Sequence, residues 1–523
     1  MIRNLESDGA AATTTAPPPV VEYASAPPPL DRRFVTAALM LVMVLASMEM
    51  TITATAMPTI IGALHGLERY AWVPAIYLLA STVAMPLYGR LADTLGRKRV
   101  ILFAIVLFCA ASMGASFARS MTQLIVWRGL QGLGAGGIMP VVLTILGDIF
   151  TLQERARIQA FFSGVWGTSA LAGPALGALL VKTLGWRSIF WVNVPLGFVA
   201  LVVLMWKYHD REKPHSTELD LPGVASVSIA AGALLVLVSR IGPGGWSWPV
   251  ATALALLVIA SIGFFIWNER RSGNPILPPS LFMQRAIGPS LVASFIFGMG
   301  FLALETYVPL YVQGGRGGGV AAAAGVITPV MLLWAVSGVA AAPLLVRWGF
   351  RRTAVFGAAL IVLGFGGLLA CAITRAPHWV MTLFLATSGI GFSFASMSYL
   401  LSAQNAVQWQ QRGVVTAAVG FSRTMGGAMG VGALGALFNL IVARDMDRFR
   451  AIGLKPAELL DPQTARRIDP VTLAQVRESI SAGLLWVFVA MVLLSVALLA
   501  VTTFLPARKN EPIVTPTLEP VAA

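Results

Sequence analysis

Two cysteines and four histidines are all that the 523 residues hold of the side chains most often used for metal binding and covalent chemistry. Cys109 and Cys371 fall inside long apolar stretches, and no Cys/His cluster has metal-ligand spacing, so neither a metal site nor a disulfide framework is expected. No glycine loop of the Gly-x4-Gly-Lys-Ser/Thr kind occurs, which argues against an ATP-driven machine; no cofactor is implied. Charge is scarce as well: 11% of residues are Asp, Glu, Lys or Arg, against 57% apolar. The apolar residues come in blocks of about twenty separated by short polar turns, long enough to cross hydrocarbon. They lack the period-2 alternation of barrel strands, so the chain reads as an all-α integral membrane protein rather than an enzyme.

Hydropathy places fourteen transmembrane spans, near residues 34–57, 73–91, 100–118, 122–149, 158–181, 189–206, 221–239, 248–267, 287–311, 319–346, 353–373, 378–406, 414–443 and 480–505. Residues 1–33, rich in Ala, Thr and Pro, lack the basic start and short apolar core of a signal peptide, and a disordered tail is expected there. A second tail covers 506–523. Lys and Arg concentrate in alternate short loops, as at Arg97, Lys98 and Arg99 or Arg351 and Arg352, which puts both termini in the cytosol. The net charge of +14 therefore follows topology and does not point to nucleic acid. One outer loop, 444–479, is long. Its Asp469-Pro470 pair reads as an N-cap followed by Pro at the first helical position, opening a short helix before the last span. That loop is either a passive surface cap or a part in gating or periplasmic contact.

Ionisable residues inside the spans are few. A charge at the bilayer centre costs about 2.5–3.5 kcal/mol on insertion scales and marks a pathway, a relay or an ion pair. Glu49 in span one, Arg128 in span four, Glu305 in span nine and Arg423 in span thirteen are such residues. The chain also repeats itself loosely. Spans two and ten each run into a basic turn, and spans five and thirteen are both glycine-rich, the former through Gly164, Gly167, Gly173, Pro174 and Gly177. These small residues make either a static packing seam or a place where helices bend and rock. The repeat divides the chain into six-helix bundles at 34–206 and 287–505, with two extra spans inserted in 207–286. By that duplication Glu305 is the counterpart of Glu49, at similar depth across a cleft.

Four runs resemble the major facilitator superfamily, and within it the fourteen-helix drug:proton antiporter branch. They are Gly89 to Arg99 with Asp93 and Arg97; Arg128 with Gln131, Gly132 and Gly134; Gly164 to Gly177; and Trp186 to Gly197 with Asn193 and Pro195. Two departures stand out: Glu49 replaces the aspartate usual in the branch's first helix, and Ala178 follows Gly177 where a second glycine is common. The resemblance implies the major facilitator fold and a proton-coupled antiporter that exports hydrophobic or cationic small molecules by alternating access. It implies the bacterial cytoplasmic (inner) membrane, with lipids around a monomer. Glu49, Glu305 and Arg128 would carry proton coupling, and Gly89, Asp93, Arg97 and Asp148 would hold the inner gate. Arg423 would anchor the cytosolic side of the second bundle. A carboxyl in apolar surroundings loses hydration when it ionises, which suits loading and release of a proton. Rival roles remain open: a structural hydrogen bond for Glu49, a structural salt bridge for Arg128, and for Glu305 either cation recognition or a hydrogen bond to Tyr307. Met48, Met50, Gln131, Trp166, Phe301, Tyr307, Tyr311, Trp334 and Met397 are candidates for a cavity suited to varied ligands. A dedicated lipid or metabolite exporter, an uptake symporter and a nontransporting receptor are the alternatives.

Overall fold

In hydrocarbon every backbone N–H and C=O must be satisfied within the protein, and the apolar blocks do so as helices. The computed structural model describes residues 29–64, 72–151, 176–210, 220–238, 247–272, 283–408, 411–451 and 469–507, with scattered positions in 152–175. Its helices are α1 (Pro29–Leu64), α2 (Trp72–Leu95), α3 (Arg97–Ser116), α4 (Met121–Ile149), α5 (Ser188–Trp191), α6 (Asn193–Lys207), α7 (Leu221–Val238) and α8 (Trp248–Arg271). They continue with α9 (Ile287–Leu310), α10 (Val320–Trp348), α11 (Phe350–Thr374), α12 (His378–Asn405), α13 (Arg412–Ala451) and α14 (Pro470–Thr502). Among the described residues, 12 stretches are long and apolar enough to cross a membrane, and Pro222–Leu234 is a shorter apolar helix. The fifth expected span lies largely outside the described residues.

Local chemistry explains where the elements depart from the hydropathy spans. The sixth span is broken into α5 and α6, and Pro195, lacking an N–H, cannot donate to the Trp191 carbonyl. The helix opened by Asp469 is not a separate short one. The Asp469 carboxylate accepts from the Val471 and Thr472 amides, and α14 then runs unbroken to Thr502. The long outer loop is correspondingly shorter than expected, because α13 extends to Ala451; residues 452–468 lie outside the described set.

Helices α1 to α6 pack on one another, as do α9 to α14, and α7 and α8 form a hairpin between them in sequence. Asn268 at the end of α8 donates to Asp220 at the start of α7 (2.6 Å), closing the hairpin's base. Helix α7 touches both α2 and α13. The second bundle depends on close approach of α9 and α13: a Cβ on Gly298 would stand 1.9 Å from the Arg423 carbonyl oxygen, and one on Gly426 2.0 Å from that of Phe295. Gly298→Val is expected to push these helices apart and cost at least the 1–3 kcal/mol of an overpacked core, read as a fall in Tm.

The apolar core shows where the bundles meet. One cluster joins Val42, Tyr88, Ala92, Leu143 and Leu146 of the first bundle to Ile287, Leu291, Ala403, Val414 and Ala418 of the second. All of these lie toward the end carrying the basic turns. At the opposite end the two halves have separate cores: Ile52, Ile60, Val73, Trp186 and Phe190 in one, Tyr311, Ile480 and Phe488 in the other. Among the described residues the apolar core is thus continuous between the halves at the basic end and separate at the other.

Candidate functional site

Helix α1 carries Glu49 into the first bundle, where it is 3% exposed. Its Oε1 is paired with Nη1 of Arg128, which is fully buried on α4. The same oxygen accepts from Thr53 Oγ1 at 3.1 Å, and Oε2 accepts from Asn193 Nδ2 at 2.6 Å. Arg128 Nη1 also donates to Gln131 Oε1 (2.7 Å), and Gln131 Nε2 donates to Ser112 Oγ (2.8 Å), which Asn193 Nδ2 also reaches (2.8 Å). The guanidinium lies over the Tyr77 ring, 4.3 Å from its centroid. Five helices therefore converge on one carboxylate. In a buried pair of this kind, removing one partner strands the other charge and costs about 3–5 kcal/mol.

Sequence reasoning named Glu49, Arg128 and Gln131 but not Thr53, Ser112 or Tyr77. Hydroxyls and a tyrosine within apolar helices look like ordinary packing residues until the fold aims them at a charge. Asn193 was quoted only as part of a motif; its place at the α5–α6 break was the available signal.

At the basic end a second network joins the bundles. Asp93 Oδ1 accepts from Arg97 Nη2 (2.8 Å), and Arg97 Nε approaches Asp148 Oδ2 at 3.0 Å. Asp93 then reaches across to the other half, accepting from the amides of Gly413 (3.1 Å) and Val414 (2.8 Å) at the start of α13. These first-turn amides have no helical acceptor of their own, so a carboxylate from the partner bundle caps them. Arg412 Nη1 returns the contact to the Gly147 carbonyl (3.0 Å), and Gln404 Nε2 reaches that of Leu143 (3.3 Å). Gly89 lets the backbones meet: its Cβ would be 2.4 Å from that of Ala417 and 2.9 Å from the Gly413 carbonyl oxygen. Gly89→Val is expected to wedge this end open, seen as faster amide exchange at Gly413 and Val414. Arg97, Asp93 and Asp148 are all buried, so these are not screened surface pairs. Arg412 and Gln404 were absent from the expected set, because an Arg beside a loop reads as a topology charge.

The remaining candidates separate by position. Glu305 is exposed, and among the described residues it makes no ion pair or hydrogen bond. Tyr307 does not hold it; that hydroxyl donates instead to the Val431 carbonyl. Glu305 is likewise absent from the partners of Glu49, all of which belong to the first bundle. Phe301 and Trp334 pack together, centroids 4.7 Å apart, in an aromatic group with Phe297 and Phe392. Tyr311, against Phe488, lies inside the second bundle, and Met397 is buried with Phe394 and Leu401; neither side chain is free to line a cleft. Gln131 is spent on the Glu49 network. Arg423 is not at the cytosolic edge expected of an anchor: it stands eleven residues into α13, about 16 Å along the axis, with Nη2 3.6 Å from Met139 Sδ of α4. Met48 is half-buried beside the outer core of the first bundle, and Gly173 and Gly177 pack against Thr51 and Ile52 of α1. Gly164, Trp166, Gly167, Pro174 and the Met50 side chain lie outside the described residues.

Comparison with known proteins is consistent across sequence and fold. Residues 39–431 match the Major Facilitator Superfamily. The chain is 32% identical over 411 residues to the multidrug transporter protein MdtP of Bacillus subtilis, covering 78% of this chain and 75% of that one. It is 27% identical over 486 residues to multidrug resistance protein 3 of the same organism, covering 90% and 94%. Among solved structures, the human organic anion transporter MFSD10 superposes with a TM-score of 0.57 at 16% identity, over 90% of this chain and 100% of that one. The proton:xylose symporter XylE gives 0.55 at 14%, over 91% and 98%. At such identities the two structures speak for the fold alone.

Proposed function

The chain belongs to the major facilitator superfamily, and on that footing we propose that it is a proton-coupled antiporter exporting hydrophobic small molecules by alternating access. The observation that carries the reading is the buried Glu49–Arg128 pair, in a molecule whose halves share an apolar core at the basic end. Efflux is supported by relatives named as multidrug transporters. The twelve long apolar helices, the shorter α7 and the fifth span sum to fourteen, with α7 and α8 inserted as in the drug:proton branch. The basic end faces the cytosol of a bacterial inner membrane, so the present state opens outward.

In this cycle Glu49 takes a proton from the outer side. Neutralising the carboxyl releases the ionic hold on Arg128 and reorganises α1 and α4. The bundles then rock, the Asp93 cap on α13 breaks, and the proton leaves to the cytosol. An inward proton gains about 2.3 kcal/mol per 100 mV, which drives the substrate the other way. Substrate uptake into inverted vesicles under an imposed pH gradient tests the proposal; uptake indifferent to collapse of that gradient would refute it.

A further inference from the structure

Apart from Glu269 and Glu478 at helix ends, the candidate spans hold four carboxylates: Glu49, Asp93, Asp148 and Glu305. The first three are committed to Arg128, Arg97 and Arg412. Glu305 has no partner among the described residues. Arg423 is in the mirror situation, its guanidinium meeting the Met139 sulfur and no carboxylate. Two opposite charges at membrane depth, on adjacent helices of one bundle, thus have no counter-charge among the described residues.

The register of α9 puts Glu305 on the face that meets α13 at Arg423. Ile287, Leu291, Ser294, Gly298 and Glu305 recur at intervals of four, three, four and seven, which puts them on one face of the helix. At the bottom of this face Ile287 and Leu291 are embedded in the core that joins the bundles. Midway, Gly298 abuts the Arg423 backbone. At the top, Glu305 is exposed, beyond the part of this face that the joint core covers. It lies seven residues, about 10 Å, beyond the level of Arg423. Phe301, one turn below Glu305, presents an aromatic surface backed by Trp334. Pro309, four residues on, has no N–H to give the Glu305 carbonyl.

We propose that this cleft is a dipolar binding site for amphiphiles that carry both charges. The anionic group seats on Arg423 at the floor, the basic group pairs with Glu305 on the wall, and the apolar body lies against Phe301. A net-neutral ligand of this kind supplies both missing counter-ions by ion pairing, whereas a simple lipophilic cation meets the repulsion of Arg423. The proposal rests on the cleft being the transport site. Its test reads binding without any proton gradient, so its failure leaves the antiport reading standing, and the reverse.

The experiment titrates the full-length protein in nanodiscs with three probes: tetraphenylphosphonium, tetraphenylborate, and the zwitterion 3-(benzyldimethylammonio)propanesulfonate. In Arg423→Gln, affinity for the zwitterion and for tetraphenylborate is expected to fall about tenfold or more while tetraphenylphosphonium binds more tightly; Arg423→Lys restores the anion. In Glu305→Gln, the zwitterion and the cation weaken and the anion is spared. Wild-type affinity for the zwitterion and tetraphenylborate in Arg423→Gln would overturn the proposal. So would equal loss of all three probes, the mark of a structural role, or a wild-type protein that binds the cation alone.

Discussion

Glu49→Gln is expected to reduce gradient-driven export to background while leaving substrate counterflow, which needs no net proton movement, measurable. Glutamine keeps the length of the side chain but only one acceptor oxygen, which can serve either Arg128 and Thr53 or Asn193 and sets its NH2 against the remaining donor. What it removes is the titratable group and the charge facing Arg128. That guanidinium is fully buried, and with the anion gone it retains the Gln131 carbonyl and the Tyr77 ring. The expected destabilisation is about 3–5 kcal/mol, seen as a lower Tm. The double variant Glu49→Gln, Arg128→Gln should recover part of that stability, because no charge is then stranded, yet stay uncoupled. Recovery of stability together with coupled export would show that the pair is structural.

Asp93→Ala is expected to shift the protein from sealed to open at its basic end. The substitution frees Arg97 from one carboxylate and uncaps the Gly413 and Val414 amides at once. The two capping bonds exist only while the bundles touch at this end, so their loss biases the two-state equilibrium and not merely the fold. Each 1.4 kcal/mol removed from the sealed state shifts the balance about tenfold, and a buried charge-assisted cap carries more than that. Spin labels at Arg99 on α3 and Arg351 on α11, in a background without Cys109 and Cys371, would report it. A longer distance population should dominate in the variant; an unchanged distribution would remove Asp93 from the gate.

The helices were legible because hydrocarbon imposes length and apolarity on every span, and the membrane charges were legible because each is costly where it stands. Partnership was not. Glu49 and Glu305 look alike in sequence, each deep in the first span of a repeated half. The fold turns Glu49 inward to Arg128 and leaves Glu305 exposed on α9. That difference depends on helix rotation and on the α5–α6 break that brings Asn193 to the site, neither of which hydropathy encodes. Aromatic and methionine content was the weakest guide: Tyr311 and Met397 fill bundle interiors, as such residues commonly do in membrane cores. The Asp469 cap was readable from its pair with Pro470, but the length of the helix it opens was not, since the polar first turns of α14 resemble loop.

The central claim, that Glu49 exchanges a proton for an outgoing substrate, is tested most directly by proton movement during substrate flux. Sealed proteoliposomes would enclose a pH-sensitive dye and receive the same zwitterionic or cationic probe outside, with no gradient imposed. The account predicts that probe entering through the wild-type protein drives protons out, and that Glu49→Gln carries probe without any proton signal. Probe flux with no proton movement in the wild type, or protons travelling with the probe, would contradict it.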